Sequence, residues 1–310
     1  MLEFLHTLLF STLEAAPPLV FAAVGASLCE RAGVVNVGVE GMMRAGAFAA
    51  AAAALVMPTP LGVLVGALAG ASLAAVHGLL CIRLRSDQVV SGMALNLVML
   101  ALGTFLLEAV FHSSSGSTPI TQLSRLSLGG VDSVPLVGAL FNHSALTYLA
   151  VLAPLLAHWA LRHTRWGLRV RAVGEQPQAV AAVGVPVGTL RFSAVLLSGA
   201  LAGVGGAVLS TATLDHFEHH MPSGLGFMAV AAMVFGRWTP LGAAGAATFF
   251  ALADSLRIGL SSSAPALAQL VPGGVQLALP YALTLVVLAV QGQRGGAPAA
   301  LGQSFDLERR

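Results

Sequence analysis

The chain contains very little charge and no lysine. Only 9% of its 310 residues are charged, 56% are hydrophobic, and all 15 basic residues are arginine. Soluble proteins carry about 25% charged residues, so a soluble fold could not cover its surface with this composition. The mean hydropathy of +0.85 agrees with this conclusion. The sequence therefore predicts a protein whose solvent is the lipid bilayer.

The missing lysine excludes two kinds of chemistry. The phosphate-binding loop of most ATPases places a lysine on the nucleotide phosphates, and Schiff-base catalysis needs a lysine amine. The chain therefore has no ordinary ATPase site, and any ATP hydrolysis must come from a partner. No set of acid, base and nucleophile marks an intramembrane enzyme, so we predict no catalytic residue and no cofactor.

Cysteine is also scarce. Cys29 and Cys81 both lie in apolar sequence and form neither a metal-ligand pair nor a disulfide framework, so we interpret them as packing residues. The formal net charge is only +2, and the arginines are scattered between apolar segments. This pattern argues against nucleic-acid binding.

Long apolar segments dominate the sequence. A membrane-spanning helix needs about 20 mostly apolar residues, and nine segments come near that length, although Glu14 and Pro17-Pro18 interrupt the first and the second has a polar start. The segments are 6–28, 36–57, 60–82, 88–112, 144–161, 192–214, 223–237, 240–258 and 274–291. The sequence predicts an all-α polytopic inner-membrane protein with about eight to ten transmembrane helices, a membrane domain over 1–291 and a disordered tail over 292–310.

Arginine positions predict the orientation, because cytoplasmic loops hold an excess of this residue. The loop 162–191 contains five arginines, whereas the loop 113–143 contains only Arg125. We therefore expect 162–191 and the tail 292–310 in the cytoplasm and 113–143 outside.

Glycines recur at helix-packing intervals within the apolar segments. Gly62, Gly66 and Gly70 are spaced by four residues, as are Gly199 and Gly203. Such faces let helix backbones approach closely in lipid, so both segments are predicted to pack tightly. No convincing internal repeat stands out.

A first polar cluster interrupts apolar sequence between residues 30 and 44. One interpretation is a broken helix whose polar groups face a translocation path, with Asn36 and Glu40 among them, because ionisable groups at membrane depth are costly. The other is a cytoplasmic turn with solvated charges. The sequence leaves both open. The polar members are Glu30, Arg31, Asn36, Glu40 and Arg44.

A second polar cluster opens the fourth apolar segment. Gln88, Ser91 and Asn96 lie at spacings that could line one inner face of a helix. Asp87 is interpreted as a surface charge at the helix N-terminus, where the helix dipole favours it.

The loop 162–191 contains a third feature. Pro177 suits a first helical turn, alanines follow, and Gly184 and Pro186 would end the helix. We predict a short helix outside the membrane whose small side chains suit docking into a groove of another protein.

Acidic and histidine residues gather at 215–220, in a predicted external loop. The H-E-x-x-H pattern of zinc sites is absent. No metal site is predicted, and the cluster is interpreted as a polar loop that faces a solute-delivering protein.

Five motifs resemble those of the inner-membrane permeases of nucleoside and simple-sugar ABC importers, which are related to the branched-chain amino-acid and ribose permeases. They occur in the family's order and cover nearly the whole chain. They are Gly33-Val-Val-Asn-Val-Gly-Val-Glu-Gly-Met-Met43 with Ala45-Gly-Ala-Phe48, Asp87-Gln-Val-Val-Ser-Gly-Met-Ala-Leu-Asn96, Gly167-Leu-Arg-Val-Arg-Ala-Val-Gly-Glu-Gln-Pro177 through Gly184, Ser198-Gly-Ala-Leu-Ala-Gly203 and Gly236-Arg-Trp-Thr-Pro-Leu-Gly242.

The resemblance implies partners. Permeases of this family work with ABC ATPase subunits, a second related permease in a heterodimer, and an extracytoplasmic solute-binding lipoprotein. The family's coupling helix docks on the ATPase, which implies that role for Glu175, Gln176, Pro177, Ala181 and Gly184. Gln176 stands where the family usually has Asn, and Arg44 where it has an apolar residue.

The sequence thus predicts the permease subunit of an ATP-driven importer of a small hydrophilic solute. The Glu-Gly-Met-Met form resembles the nucleoside branch, with a simple sugar or riboflavin as the alternative solute. An ion-coupled secondary transporter would need paired carboxylates or histidine relays at membrane depth, and only Glu108 and Asp254 are acidic residues deep in the later segments.

Overall fold

The computed structural model describes residues 2–126, 136–263 and 296–305, and this part of the chain is mostly helical, with very little strand. The predicted all-α class is therefore confirmed. Short π-helices, Leu79–Arg83 and Leu209–Thr213, extend α3 and α8, and two-residue strands Arg125–Leu126 (β1) and His143–Ser144 (β2) pair antiparallel. The helices are α1 (Leu2–Arg31), α2 (Val39–Ala54), α3 (Thr59–Gly78), α4 (Gln88–Phe111), α5 (Ala145–His163), α6 (Arg165–Glu175), α7 (Pro177–Ala182), α8 (Val187–Val208), α9 (Leu225–Phe235) and α10 (Pro240–Ser263).

Eight of the nine predicted apolar segments coincide with helices, and the ninth, 274–291, lies outside the described residues. Five described helices are long and apolar enough to cross a membrane: Glu3–Arg31, Thr59–Arg83, Gln88–Phe111, Ala145–His163 and Val187–Thr213. Two of the other helices, α2 and α9, have only 16 and 11 residues. A helix rises about 1.5 Å per residue, so neither covers a hydrocarbon core of about 30 Å.

The first segment is one continuous helix, although its proline pair predicted an interruption. Both Pro17 and Pro18 lie inside α1. Their missing N–H groups weaken the helix, but α1 packs along α8 and α10. Gly205 lets the backbone of α8 approach the Pro18 carbonyl. Packing by neighbouring helices lets prolines persist within membrane helices.

Six of the described helices form two related units, α1–α3 and α8–α10. In each unit a long helix is followed by a break, a short helix and a third helix. The sequence Thr-Pro-Leu-Gly marks the start of the third helix, at residues 59–62 of α3 and at residues 239–242, where Thr239 directly precedes α10. Helix α1 packs on α10 as α8 packs on α3, and α1 and α8 pack on each other. Gly33, after the end of α1, lies near Arg191 in the first turns of α8, so the two helices run in opposite directions. This is the arrangement of inverted transporter repeats, which the sequence alone did not reveal.

The predicted small-residue faces are confirmed. Gly66 and Gly70 of α3 meet the backbone of Gly199 and Gly203 of α8 so closely that a methyl group on any of the four would press on backbone atoms. Gly62 instead faces the carbonyl of Ala50 in α2. Close approach of this kind replaces hydrophobic association in lipid.

The loops contact one another at two opposite ends of the helices. At one end the Arg31 guanidinium donates to the carbonyls of Trp238 (2.6 Å) and Arg237 (3.1 Å) in the α9–α10 turn. At the other, the Ser117 N–H donates to the Phe217 carbonyl (2.8 Å) and the Leu123 N–H to Thr211 (2.9 Å). That the first end is cytoplasmic stays a prediction.

Part of the predicted disordered tail is ordered. Residues 296–305 lie against the protein with Pro298 and Ala300 buried, whereas 292–295 and 306–310 lie outside the described residues. Glycine, alanine and proline cannot form a core of their own, but they fit a narrow seat between helices, and composition alone does not reveal such a seat.

Candidate translocation site

The first polar cluster is a break between α1 and α2. Helix α1 ends at Arg31, Gly33 adopts a left-handed φ of +84°, and α2 begins only at Val39. The backbone groups of the break have no partners within a helix and need others. Glu30 and Arg44 are buried, so these charges are not solvated, as they would be in a simple cytoplasmic turn.

Val35, in the middle of the break, is held by side chains from two helices. The Val35 N–H donates to Oε1 of Gln88 on α4 (2.7 Å), and its carbonyl lies 3.0 Å from Nε2 of His77 on α3. Nδ1 of His77 lies 3.1 Å from the hydroxyl of Ser91. His77, Gln88 and Ser91 are all buried. Together they satisfy both polar groups of one unwound residue.

Two asparagines hold the next part of the break. Asn36 donates from Nδ2 to the Ser198 hydroxyl on α8 (3.0 Å) and accepts from the Gly38 N–H (3.1 Å). Asn96 donates to the Val37 carbonyl (3.0 Å) and accepts from the Gly41 N–H (2.8 Å). Each side-chain amide therefore bridges the break to another helix or to the first turn of α2.

Glu40, in the first turn of α2, caps the start of α9. One carboxylate oxygen accepts from the Gly224 N–H (2.8 Å) and the other from the Gly226 N–H (2.7 Å). These are among the N–H groups that a helix cannot satisfy internally. Gly226 lies against the backbone of Glu40, so the N-termini of α2 and α9 meet there.

This meeting point lies away from the end of the protein at which Arg31 contacts the α9–α10 turn. Asn96 is eight residues after the start of α4 and Gly226 is nine residues before the end of α9, so each lies about 12 Å or more along its helix from that terminus. Transporters with inverted repeats bind solute where broken helices meet near mid-depth, with helix N-termini directed at the site.

Arg44 extends the polar site by one turn of α2. It is buried, its Nη1 donates to the His219 carbonyl (2.9 Å), and its stem packs against Gly103 of α4. Arg44 therefore faces α4 and the loop between α8 and α9 instead of lipid. An arginine fits at this position, where the family usually has an apolar residue, because Gly103 opposite it is small.

All five predicted path residues lie around the break. Asn36, Gln88 and Asn96 hydrogen-bond to the backbone of the break and Glu40 to that of α9, whereas Ser91 contacts the His77 ring. Sequence reasoning missed His77 and Ser198. His77 is not among the predicted path residues, although a histidine inside an apolar segment is itself a signal. Ser198 carried no such signal, because a serine in a small-residue segment is common in membrane helices.

The predicted coupling segment consists of two helices. The predicted short helix is α7, which begins at Pro177. Gln176 separates it from the amphipathic helix α6, which the sequence analysis did not predict. Pro177 is at the first position of α7 and buried, whereas Glu175 and Gln176 are exposed. Ala181 is half-buried, and Gly184, at φ +78°, is exposed with no atom near an added methyl group. The segment thus presents a surface of small side chains.

The loops at the end opposite Arg31 line an open cavity of about 540 Å³, whose lining includes the polar residues Ser113, Ser115, Asp215, His216 and Glu218. The His216 ring lies 2.7 Å from Asp215 and 3.4 Å from Glu218, and its hydrogen bond lowers the pKa of Asp215. Among residues 2–126, 136–263 and 296–305, no group of three or more His, Cys, Asp or Glu side chains is placed to hold a metal. This end presents hydroxyls, carboxylates and imidazoles.

These features define a multi-pass membrane permease. The chain belongs to the family of permease components of branched-chain amino acid transport systems, whose model matches residues 8–280. The resemblance drawn from the motifs is thereby confirmed.

Individual relatives carry more specific names. NupC, a nucleoside ABC transporter permease of Lactococcus lactis, is 37% identical over 309 residues, which are 97% of this chain and 95% of the relative. NupQ, a guanosine ABC transporter permease of Bacillus subtilis, is 36% identical over 318 residues, 99% of each. NupB, a second nucleoside ABC transporter permease of Lactococcus lactis, is 26% identical over 263 residues, which are 81% of this chain and 72% of the relative. No solved structure matches the chain.

Proposed function

We propose that this permease forms half of the translocation path of an ATP-driven nucleoside importer in the inner membrane. The observation that supports it most directly is the site where two broken helices meet beside Glu40. Nearly full-length similarity to NupC and NupQ favours a nucleoside as the solute. A simple sugar or riboflavin is the alternative solute.

The partners follow from what the chain lacks and from its relatives. A lysine-free chain cannot form an ordinary phosphate-binding loop, so a separate ABC ATPase subunit docks on α6 and α7. The chain is similar to both NupB and NupC of one organism, which favours a heterodimer with a second related permease. An extracytoplasmic solute-binding lipoprotein delivers the solute to the outer loops, and the α6–α7 end and residues 292–310 face the cytoplasm.

Reconstitution tests this proposal. The chain is co-expressed with an ABC ATPase subunit, a second related permease and a solute-binding lipoprotein from the same organism, purified as a complex and placed in liposomes. We expect uptake of radiolabelled nucleosides that requires ATP. Uptake by this chain alone, driven by an ion gradient without ATP, would show a secondary transporter. Uptake of glucose or riboflavin in preference to nucleosides would overturn the choice of solute.

A bulky side chain at Gly184 is expected to obstruct docking of the ATPase subunit on α6 and α7. Gly184→Trp should strongly reduce uptake while leaving membrane insertion intact, because the side chain enters open space outside the permease. Any non-glycine residue at φ +78° costs about 1–2 kcal/mol. Gly184→Ala carries the same strain without the bulk and serves as the matched control. Equal uptake by both variants would remove Gly184 from the docking surface.

A further inference from the structure

Residues 296–305, named here the 296–305 strap, lie across three elements at the α6–α7 end of the protein. The Ala300 N–H donates to the Gly174 carbonyl in the last turn of α6 (2.9 Å). The Gly302 N–H donates to the carbonyl of Gly33 at the start of the helix break (3.1 Å). The strap is thus hydrogen-bonded both to the proposed docking segment and to the break.

Two further contacts fix the position of the strap. The Ala299 N–H donates to Oε2 of Glu175 (3.2 Å), and Nη1 of Arg191 on α8 donates to the Gln303 carbonyl (2.8 Å). Arg191 is only 2% exposed. Because a buried guanidinium needs acceptors, the Gln303 carbonyl stabilises the start of α8 against the strap.

The seat of the strap is shaped by glycines. A methyl group on Gly174 would press on the Arg31 carbonyl and lie 3.2 Å from Pro298. One on Gly33 would lie 3.1 Å from the Ala300 carbonyl and 3.0 Å from Nη2 of Arg191. Ala300 is 3% exposed. The close fit distinguishes this seat from a loose contact of a polar tail with a surface.

The strap connects α6 to the helix break through hydrogen bonds. Helix α6 already touches the end of α1, where Gly174 meets the Arg31 carbonyl, but this is a packing contact that can slide. The strap adds hydrogen bonds from one short segment to both sides of that junction. A displacement of α6 and α7 must therefore carry the strap with it, and through Gly33 the beginning of the break.

We infer that the 296–305 strap is a coupling element that ties the ATPase-docking segment to the helix break at the translocation site. The inference rests on the proposed function, because only an ATP-driven importer needs a movement passed from α7 to the break. In this role the strap remains seated throughout the cycle. Pro298 and Ala300 act as positioning residues and do not touch solute.

The test measures solute transported per ATP hydrolysed by the complete reconstituted complex. Removal of 296–310 should leave the ATPase subunit bound and hydrolysing ATP but lower this ratio about tenfold, within the range of typical coupling effects. Removal of 306–310 alone is the matched truncation and should keep the full ratio. An unchanged ratio after removal of 296–310 would overturn the proposal.

A pair of point variants covers the case in which the longer truncation does not assemble. Ala300→Glu puts a carboxylate into the buried seat, whereas Ala297→Glu puts the same group on an exposed residue three positions earlier. We expect a low ratio only for Ala300→Glu. If it lowers thermal stability and complex yield yet keeps the ratio in the complex that forms, the strap is merely structural. Absence of ATP-dependent uptake in the unaltered complex would instead contradict the proposed function.

Discussion

Replacing Gly206 by alanine is expected to prevent the permease from folding stably in the membrane. Gly206 on α8 lies directly against the carbonyl of Met43 on α2, and an added methyl group would overlap that backbone. Neither partner is a side chain that can rotate away, so one of the two helices would have to shift. Overpacking of a core lowers the free energy of unfolding by about 1–3 kcal/mol. Because this methyl group would overlap backbone atoms, we expect a loss at or above the upper end of that range. Thermal unfolding in detergent and the yield of monodisperse protein measure the loss.

The matched control is Gly245→Ala on α10. No atom lies within 4 Å of a methyl group added there, and alanine favours a helix over glycine by about 1 kcal/mol. This variant should be as stable as the unaltered protein or slightly more so. A Gly206→Ala protein of unchanged stability would mean that α2 and α8 do not approach as closely as described.

Close helix approach was predictable from the sequence because lipid leaves little else to hold helices together. Without hydrophobic association, small residues at intervals of four mark the contacts, and the spacings of Gly66 with Gly70 and of Gly199 with Gly203 indicated this face. Helix positions were predictable for a similar reason, since every backbone group in hydrocarbon must be satisfied within a helix. These rules act locally, and a single sequence displays them.

The features that the sequence did not reveal depend on residues far apart in the chain. The order of residues 296–305 depends on a seat made by Gly33 and Gly174, and nothing in the local composition indicates it. The continuity of α1 through Pro17 and Pro18 depends on neighbouring helices. Its packing on α8 and α10 outweighs a local helix breaker, as tertiary context often does.

The candidate site was predicted at the level of residues but not of roles. Asn36, Gln88, Ser91 and Asn96 stood out because polar groups in apolar segments are costly and face a cavity or a partner. In the structure their partners include the backbone of the break itself. We propose that these residues contribute to transport by fixing the shape of the break, which only the three-dimensional contacts reveal.

The helix break shows how the two halves of the repeat depend on each other. Side chains from α3, α4 and α8 hold residues 35–38 in place, and Glu40 at the start of α2 then holds the start of α9. The second short helix is thus held against the first by the Glu40 carboxylate and by the packing of Gly226 on the Glu40 backbone. We expect a change at one break to reach the other through these contacts.

Replacing Glu40 by alanine is expected to have the largest effect on transport. It removes the acceptor of both the Gly224 and Gly226 N–H groups. A hydrogen bond to a charged group contributes about 1.5–3 kcal/mol, and an unsatisfied buried group carries an additional cost. We expect uptake per folded complex to fall by about a hundredfold or more, which corresponds to about 2.7 kcal/mol. Glu40→Gln keeps one carbonyl oxygen and should retain part of the activity.

Glu14→Gln is the matched control, because it removes the charge of another carboxylate on a membrane helix. Glu14 pairs with Arg125 at 2.6 Å, and its side chain is 34% exposed. Such solvent-exposed pairs contribute only about 0–1 kcal/mol, so uptake and stability should change little. Radiolabelled solute uptake, normalised to folded complex in the liposomes, distinguishes the two. If Glu40→Ala transports as well as Glu14→Gln, the carboxylate does not position α9, and the site must be held by packing of the two short helices alone.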